Sequence, residues 1–280
     1  MNSPERAIIM VAGFGTRRLP ITKAIEKCML LVNDRPVVDY VVEDCIKAGV
    51  REIDFVVGAQ SDQLRTYYGS NAPLENYLRD RGETEILEQV LSISRQADFR
   101  YRPQPDGTYG TAVPAAIFAE EIGQTERVLF LSGDDLVYNP AGSETARLVE
   151  SANAQGSSAG MLAARARPGE NQRYGALAVT ENPDGSLALK SIAEKPATQA
   201  SQSRLINISK YLFDKALFGC AQEVFMSEPA PNGEHQVTDA LDMYVERGLG
   251  SIAVVPIEGQ FFDCGDKHGW LAANDQLISA

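Results

Sequence analysis

Residues 7–12 read AIIMVA, six apolar residues with no polar break. A strand wet on one face alternates apolar and polar positions, whereas an uninterrupted apolar run suits a strand covered on both faces, as in a parallel sheet flanked by helices. Ile53 to Val57 and Val128 to Leu131 repeat the signal. Between the first two runs, Pro36 to Ala48 reads as a helix. Pro36 suits its first position, Val37, Val38, Val41, Val42, Cys45 and Ile46 make one stripe, and Gly49 can end it. Leu64 to Ser92 is polar and helix-rich, broken at Pro73 and Gly82, and reads as a helical insertion spanning about 61–96. Gly110 to Ile122 is a further helical stretch. Later strands are expected at Ala159 to Ala164, Tyr174 to Val179, Leu187 to Ala193, Leu205 to Leu212 and Ile252 to Pro256. Helices are expected at Ser143 to Ala154, Thr238 to Arg247 and Lys267 to Leu277. This order predicts an α/β fold: a doubly wound, mixed, mostly parallel sheet with helices on both faces, Rossmann-like, with antiparallel additions in the second half. Ligands bind such sheets at the carboxyl ends of the strands, so chemistry belongs in the loops that follow buried strands.

Charge narrows the classes. Twenty-six Lys and Arg face 38 Asp and Glu, a net charge of −12. A protein built to grip nucleic acid carries the opposite balance, so no nucleic-acid partner is expected. No window approaches the ~18 unbroken apolar residues of a membrane span. Residues Met1 to Arg6 carry no signal pattern, so a cytoplasmic location is expected. Cys28, Cys45, Cys220 and Cys264 are scattered, and only His235 and His268 accompany them. That argues against a zinc cage and for reduced thiols, with both histidines structural or solvated.

The loop after the first strand runs Ala12-Gly13-Phe14-Gly15-Thr16-Arg17-Arg18-Leu19-Pro20-Ile21-Thr22-Lys23-Ala24-Ile25-Glu26-Lys27. Gly13 and Gly15 permit close backbone approach. Arg17, Arg18, Lys23 and Lys27 gather four cations within eleven residues of an acidic chain, a concentration that suits a polyphosphate. It is not the dinucleotide fingerprint, because Arg18 stands where a third glycine is needed and Pro20 where a helix should run on. The G-x-x-x-x-G-K-[ST] pattern is also absent from the loop.

The loop resembles the G-x-G-T-R-x-x-P-x-T-K-x-x-x-K loop of the sugar-1-phosphate nucleotidylyltransferases, in particular the bacterial uridylyl-transferring members. The resemblance runs from Ala7 to about Ala273. It includes Tyr40-Val41-Val42-Glu43, Leu74-Glu75-Asn76-Tyr77-Leu78, Tyr174-Gly175, Glu194-Lys195-Pro196, Glu234 to Ala240, and Asp263 to Trp270. It implies one nucleotidylyltransferase domain over 1–280, whose sugar-binding and C-terminal part covers about 165–280. It implies transfer of a uridylyl group from UTP to glucose 1-phosphate, giving UDP-glucose and pyrophosphate, with Mg²⁺ as cofactor. By the same resemblance, Arg17 and Lys27 are catalytic and hold the triphosphate. Ala12, Gly13, Gly15, Gln104 and Gly110 bind the nucleotide. Gly175, Glu194 and Lys195 bind the sugar phosphate. Asp134, which follows the VLFL strand, and Asp263 hold the metal, with Asp135 as an alternative ligand. Thr238 is expected to cap its helix. A homo-oligomer, dimer or tetramer, is also implied.

The chain departs from the pattern in three places. Glu26-Lys27-Cys28-Met29-Leu30-Leu31 lacks both prolines that usually flank the loop lysine. This predicts a looser loop, with Glu26 an anion beside the phosphate clamp. The base loop reads Arg102-Pro103-Gln104 and then Thr108-Tyr109-Gly110-Thr111-Ala112, so Gln104 reads the base from a shifted register. Ser132-Gly133 is similar to the thymidylyl relatives. Two alternatives follow: the same chemistry with dTTP or another hexose 1-phosphate, or a non-catalytic nucleotide-sugar-binding subunit.

Overall fold

The computed structural model describes residues 3–59, 61–166, 172–195 and 204–278. Pro196 lies outside them. In chain order the strands are β1 (Arg6–Met10), β2 (Leu31–Val32), β3 (Arg35–Pro36), β4 (Glu52–Val57), β5 (Asp98–Pro103), β6 (Val128–Ser132), β7 (Asp135–Tyr138), β8 (Ala159–Arg165), β9 (Ala176–Glu181), β10 (Leu187–Ala193), β11 (Leu205–Phe213), β12 (Ile252–Pro256) and β13 (Gln260–Asp263). The helices are α1 (Val37–Lys47), α2 (Gln63–Tyr68), α3 (Ala72–Arg81), α4 (Thr84–Ser94), α5 (Val113–Ala116), α6 (Glu144–Ala154), α7 (Lys215–Met226), α8 (Val237–Glu246) and α9 (Lys267–Ile278).

A nine-stranded sheet runs β5-β4-β1-β6-β11-β8-β12-β10-β9. Its first four strands are mutually parallel, β11 is reversed, and β8 and β12 pair parallel beyond it. Along β1 and its end, Ala7, Ile9 and Val11 pack into one core and Ile8 and Met10 into the other. Both faces are therefore dry, which is why the run shows no alternation. One core is completed by α5, α7 and α8 through Ala115, Leu217, Phe218, Leu241 and Tyr244. The opposite core is completed by α1 and α6 through Val38, Val41, Val42, Leu148 and Val149. A third, smaller cluster joins Val32, Leu136, Phe262, Cys264, Ala273 and Leu277 beneath a separate two-stranded ribbon, β7 against β13.

Several elements differ from the expectation. The helix expected over 110–122 is α-helical only over α5. Gly110 has φ +113, outside the helical region, and residues beyond Ala116 close tight turns instead. Pro36 sits at the N-cap of α1 rather than inside it. Pro73 lies in the first turn of α3, where its missing N–H costs nothing, so the break falls at Gly69 to Asn71. α7 was not anticipated, nor were β5, β7 and β13. Asp214 caps α7 by accepting from Leu217 N at 2.9 Å. All four cysteines are buried and free. No helix among the described residues is long and apolar enough to cross a membrane.

Phe130 is fully buried on β6, with its ring centroid 4.9 Å from that of Phe213. Phe130→Ala is expected to cost about 3–5 kcal/mol, read as a lower urea midpoint at unchanged slope.

Candidate active site

The loop leaving β1 folds back on itself around Lys27. Gly15 is left-handed, φ 65, and a Cβ placed there would come within 3.1 Å of Lys27 Cβ and 3.0 Å of Thr22 Cγ2. A Cβ on Gly13 would lie 3.5 Å from Lys27 Nζ. Gly15 thus makes room for the lysine stem, which passes Gly13 at ordinary contact distance and brings Nζ to 2.9 Å from Asp134 Oδ2.

Asp134 stands just past the carboxyl end of β6. Gly133 precedes it at a point where a Cβ would lie 2.4 Å from Val11 Cγ1. Packing against β1 and Val11 therefore explains the glycine of Ser132-Gly133. The chain then enters β7, which pairs with β13 so that Asp135 faces Asp263, and Cys264 N donates to Asp134 O at 3.1 Å. This ribbon brings together carboxylates that lie far apart in the chain. Arg17 Nη1 donates to Asp263 Oδ2 at 3.1 Å, and the Tyr174 hydroxyl reaches the same oxygen at 3.4 Å. A Cβ on Gly265 would meet Asp134 Oδ2 at 2.4 Å, Arg17 Nη2 at 3.0 Å and Asp263 Oδ1 at 3.1 Å. Two carboxylates and a guanidinium therefore surround one point, with Lys27 bonded to the same Asp134 oxygen.

Burial alone would raise the Asp134 carboxyl, but Lys27, the Ser132 hydroxyl and Arg17 hold it below the ordinary carboxylate range. Lys27 is raised in turn, because Asp134 and Asp135 outweigh its own desolvation. Asp135 is pushed up to about 8 by burial and by the Asp134 and Asp263 charges. Beneath them lies Lys210, 3% exposed, whose ammonium donates to Ser132 O at 2.8 Å and is lowered by desolvation.

Arg17, Lys27, Asp134, Asp135 and Asp263 line a cleft of about 1860 Å³ at the carboxyl ends of β1, β4 and β6. The cleft also brings in Ala12, Gly13, Gly15, Gln104, Gly110, Gly175, Glu194 and Lys195. Gln104 Nε2 donates to Thr108 O at 2.8 Å and closes the 104–108 loop. The close approach that Gly110 permits is to the protein itself, since a Cβ there would lie 2.2 Å from His235 O. Gly175 makes space for Glu194, whose Oε2 would be 3.2 Å from an added Cβ. Glu194 is raised by burial, opposed by Lys195, whose Nζ lies 3.5 Å from Glu194 Oε1.

Residues 6–280 match the family model described as nucleotidyl transferase. The chain belongs to that family. UTP–glucose-1-phosphate uridylyltransferase of Bacillus subtilis is 30% identical over 273 residues, covering 97% of this chain and 90% of the relative. The Haemophilus influenzae protein of the same name is 30% identical over 278 residues, covering 96% and 91%. Among solved structures, UTP-bound UGPase from Acinetobacter baumannii aligns with TM-score 0.84 at 27% identity, over 98% of this chain and 93% of that one. UDP-glucose pyrophosphorylase complexed with UDP-glucose aligns with TM-score 0.84 at 26% identity, over 99% of each chain.

For a nucleotidyl transferase of this kind the donor set is informative. No group of three or more His, Cys, Asp or Glu among the described residues is arranged to hold a metal by itself. Asp134 and Asp263 offer the hard carboxylate oxygens that a divalent cation takes, fewer than would hold one without oxygens from a ligand.

Two expectations are corrected, for Arg18 and Thr238. Arg18 does not join the clamp: it is buried, and its guanidinium stacks 4.6 Å from the Trp270 ring centroid. Glu26 does stand in the cleft wall beside Lys27, and its carboxylate accepts from the Ser61 hydroxyl and from Gln63 N. Thr238 is not the cap of α8. Gln236 holds that position, and the Thr238 hydroxyl is buried without a partner. Gly110 lines the cleft and at the same time lets the His235 backbone come close. His235 is structural, with Nδ1 3.0 Å from Val224 O, while His268 is exposed. Sequence reasoning missed Lys210, the Tyr174 hydroxyl and the Arg173–Asp266 pair at 3.2 Å. A lone lysine inside the apolar run of β11 was the available signal for the first.

Gly110→Ala forces a positive φ and a backbone clash together. It is expected to cost about 1–3 kcal/mol or more in chemical denaturation, with the 104–112 loop opened to limited proteolysis.

Proposed function

We propose that this chain catalyses, in the cytoplasm, the transfer of a uridylyl group from UTP to glucose 1-phosphate, giving UDP-glucose and pyrophosphate. The observation that carries the reading is the meeting of Asp134, Asp263, Arg17 and Lys27 at Gly265 in a protein of net charge −12. The names of the relatives and the UTP and UDP-glucose in the aligned structures support the choice of substrates.

The reaction brings one anion against another. An oxygen of the sugar phosphate attacks the α-phosphorus, the bond to the bridging β-phosphate oxygen breaks, and pyrophosphate leaves with the electron pair. The nucleophile is already ionised, so no side-chain base is needed. The protein must align attacker and leaving group and offset charge. Arg17 offers a planar fork and Lys27 a compact point charge to the triphosphate, and both stabilise the departing pyrophosphate. Asp134 and Asp263 would hold Mg²⁺, which when bound neutralises phosphate charge. Lys195 takes the sugar phosphate, Glu194 accepts from sugar hydroxyls, and Gly175 keeps the backbone clear of both. Ala12, Gly13, Gly15, Gln104 and Gly110 line the nucleotide end.

Purified protein with UTP, glucose 1-phosphate and Mg²⁺ is expected to release pyrophosphate, with UTP preferred over dTTP at equal concentration. Silence with every triphosphate and hexose 1-phosphate tried would leave only a nucleotide-sugar-binding subunit. Chelation with EDTA should stop turnover and added Mg²⁺ restore it. Lys27→Ala is expected to lower kcat by about 10²–10³-fold. Gly265→Ala should do comparable damage without removing a charged group, because its Cβ occupies the place where the carboxylates meet.

A further inference from the structure

Between Arg17 and Lys27 the chain is held by little regular structure. It passes through three short 3₁₀ turns, Thr16–Arg18, Ile21–Lys23 and Lys27–Met29, and the side chains of Leu19, Ile21 and Ile25 are exposed. Packing therefore does not fix the outer part of the loop. Yet Lys27, at its end, must hold its ammonium at a defined point. In this structure the Asp134 carboxylate holds that ammonium. The same carboxylate is the one proposed to serve a divalent cation, so the ion pair alone is a poor anchor for the lysine during a reaction.

A second anchor lies one residue upstream. Glu26 N donates to Gln63 Oε1 at 2.9 Å, and Gln63 N donates back to Glu26 Oε1 at 3.2 Å. The Ser61 hydroxyl donates to Glu26 Oε2 at 2.7 Å, and Gln63 Nε2 donates to Ala24 O at 2.7 Å. These bonds tie the phosphate loop after β1 to the first turn of α2, in the loop after the neighbouring parallel strand β4. Glu26 is at the same time the N-cap residue of the turn that carries Lys27, whose Met29 N donates to Glu26 O at 2.8 Å.

We propose that Glu26, Gln63 and Ser61 form a clasp whose task is to position Lys27 for the triphosphate, a role that rests on the function proposed above. The clasp replaces stiffness in the chain with cross-loop hydrogen bonding. It also explains why a carboxylate is tolerated next to a phosphate-binding lysine: Glu26 stands in the cleft wall, but its oxygens are taken up by the backbone and hydroxyl donors of residues 61–63. Glu26 and Gln63 are positioning residues, because they act through Lys27.

The test uses the full chain with Glu26→Ala, Gln63→Ala, the double variant and Glu26→Gln, read by kcat, KM for each substrate, thermal melting and amide exchange at Met29. Each alanine variant is expected to lose about 10- to 100-fold in kcat, the scale of a misplaced catalytic group, with KM for glucose 1-phosphate unchanged. Melting should shift by no more than about 4 °C. The double variant should lose no more than the worse single, the mark of one shared unit. Glu26→Gln should recover activity, since its amide still accepts from Gln63 N and can donate to the Ser61 oxygen. Met29 should exchange faster in both alanine variants and not in Glu26→Gln. Wild-type kcat in either alanine variant, losses that multiply in the double, or a Glu26→Gln as impaired as Glu26→Ala would each overturn the clasp. Should the wild-type protein release no pyrophosphate at all, the assigned reaction falls. Met29 exchange then decides the clasp alone, and unchanged exchange in Glu26→Ala refutes it.

Discussion

The architecture of the cleft depends on keeping negative groups together where they repel. Asp134 and Asp263 are both buried, Asp135 adjoins them, and the molecule around them is itself negative. Two like charges about 4 Å apart cost about 4 kcal/mol at the effective dielectric of a protein surface, and more inside. The fold meets that cost from both directions. Covalent and hydrogen-bonded geometry forces the approach: the β7–β13 ribbon sets Asp135 opposite Asp263, and Cys264 N bonds Asp134 O. Lys27, Arg17 and the buried Lys210 offset the charge. The carboxylates are thus held in place by the protein's own cations and backbone.

Cation supply is correspondingly frugal. Of the four positive residues in the loop after β1, Arg18 is withdrawn to stack on Trp270, which ties the loop to α9. Of the other three, Arg17 and Lys27 face the carboxylates, and Lys23 stays exposed at the cleft. Local charge density in a sequence is thus an upper bound on the charge a site presents. One member of a basic cluster can serve packing while its neighbours serve chemistry.

Much of the sheet could be read in advance because β1, β4 and β6 are buried on both faces, and that condition writes itself into a continuous apolar run. Asp134 followed from its place after such a run. The ribbon left no such trace. β7 and β13 are four residues each, partly exposed, and stabilised by each other and by α9. The closeness of Asp134 and Asp263 came from resemblance, since local pattern carried no signal for it. The meaning of the glycines was similarly hidden. Gly15, Gly110, Gly133 and Gly175 all mark close approaches, but the approaching groups are Lys27, His235, Val11 and Glu194, each distant in sequence or on another element. A glycine reports that something comes near and does not say what. α7 could have been found from its stripe of Leu217, Cys220, Ala221 and Val224 behind the Asp214 cap.

Among the described residues β13 follows every strand of the main sheet. Asp263 is therefore the last of the four clustered charges to leave the ribosome, and its ion pair with Arg17 is one that a shorter nascent chain cannot form.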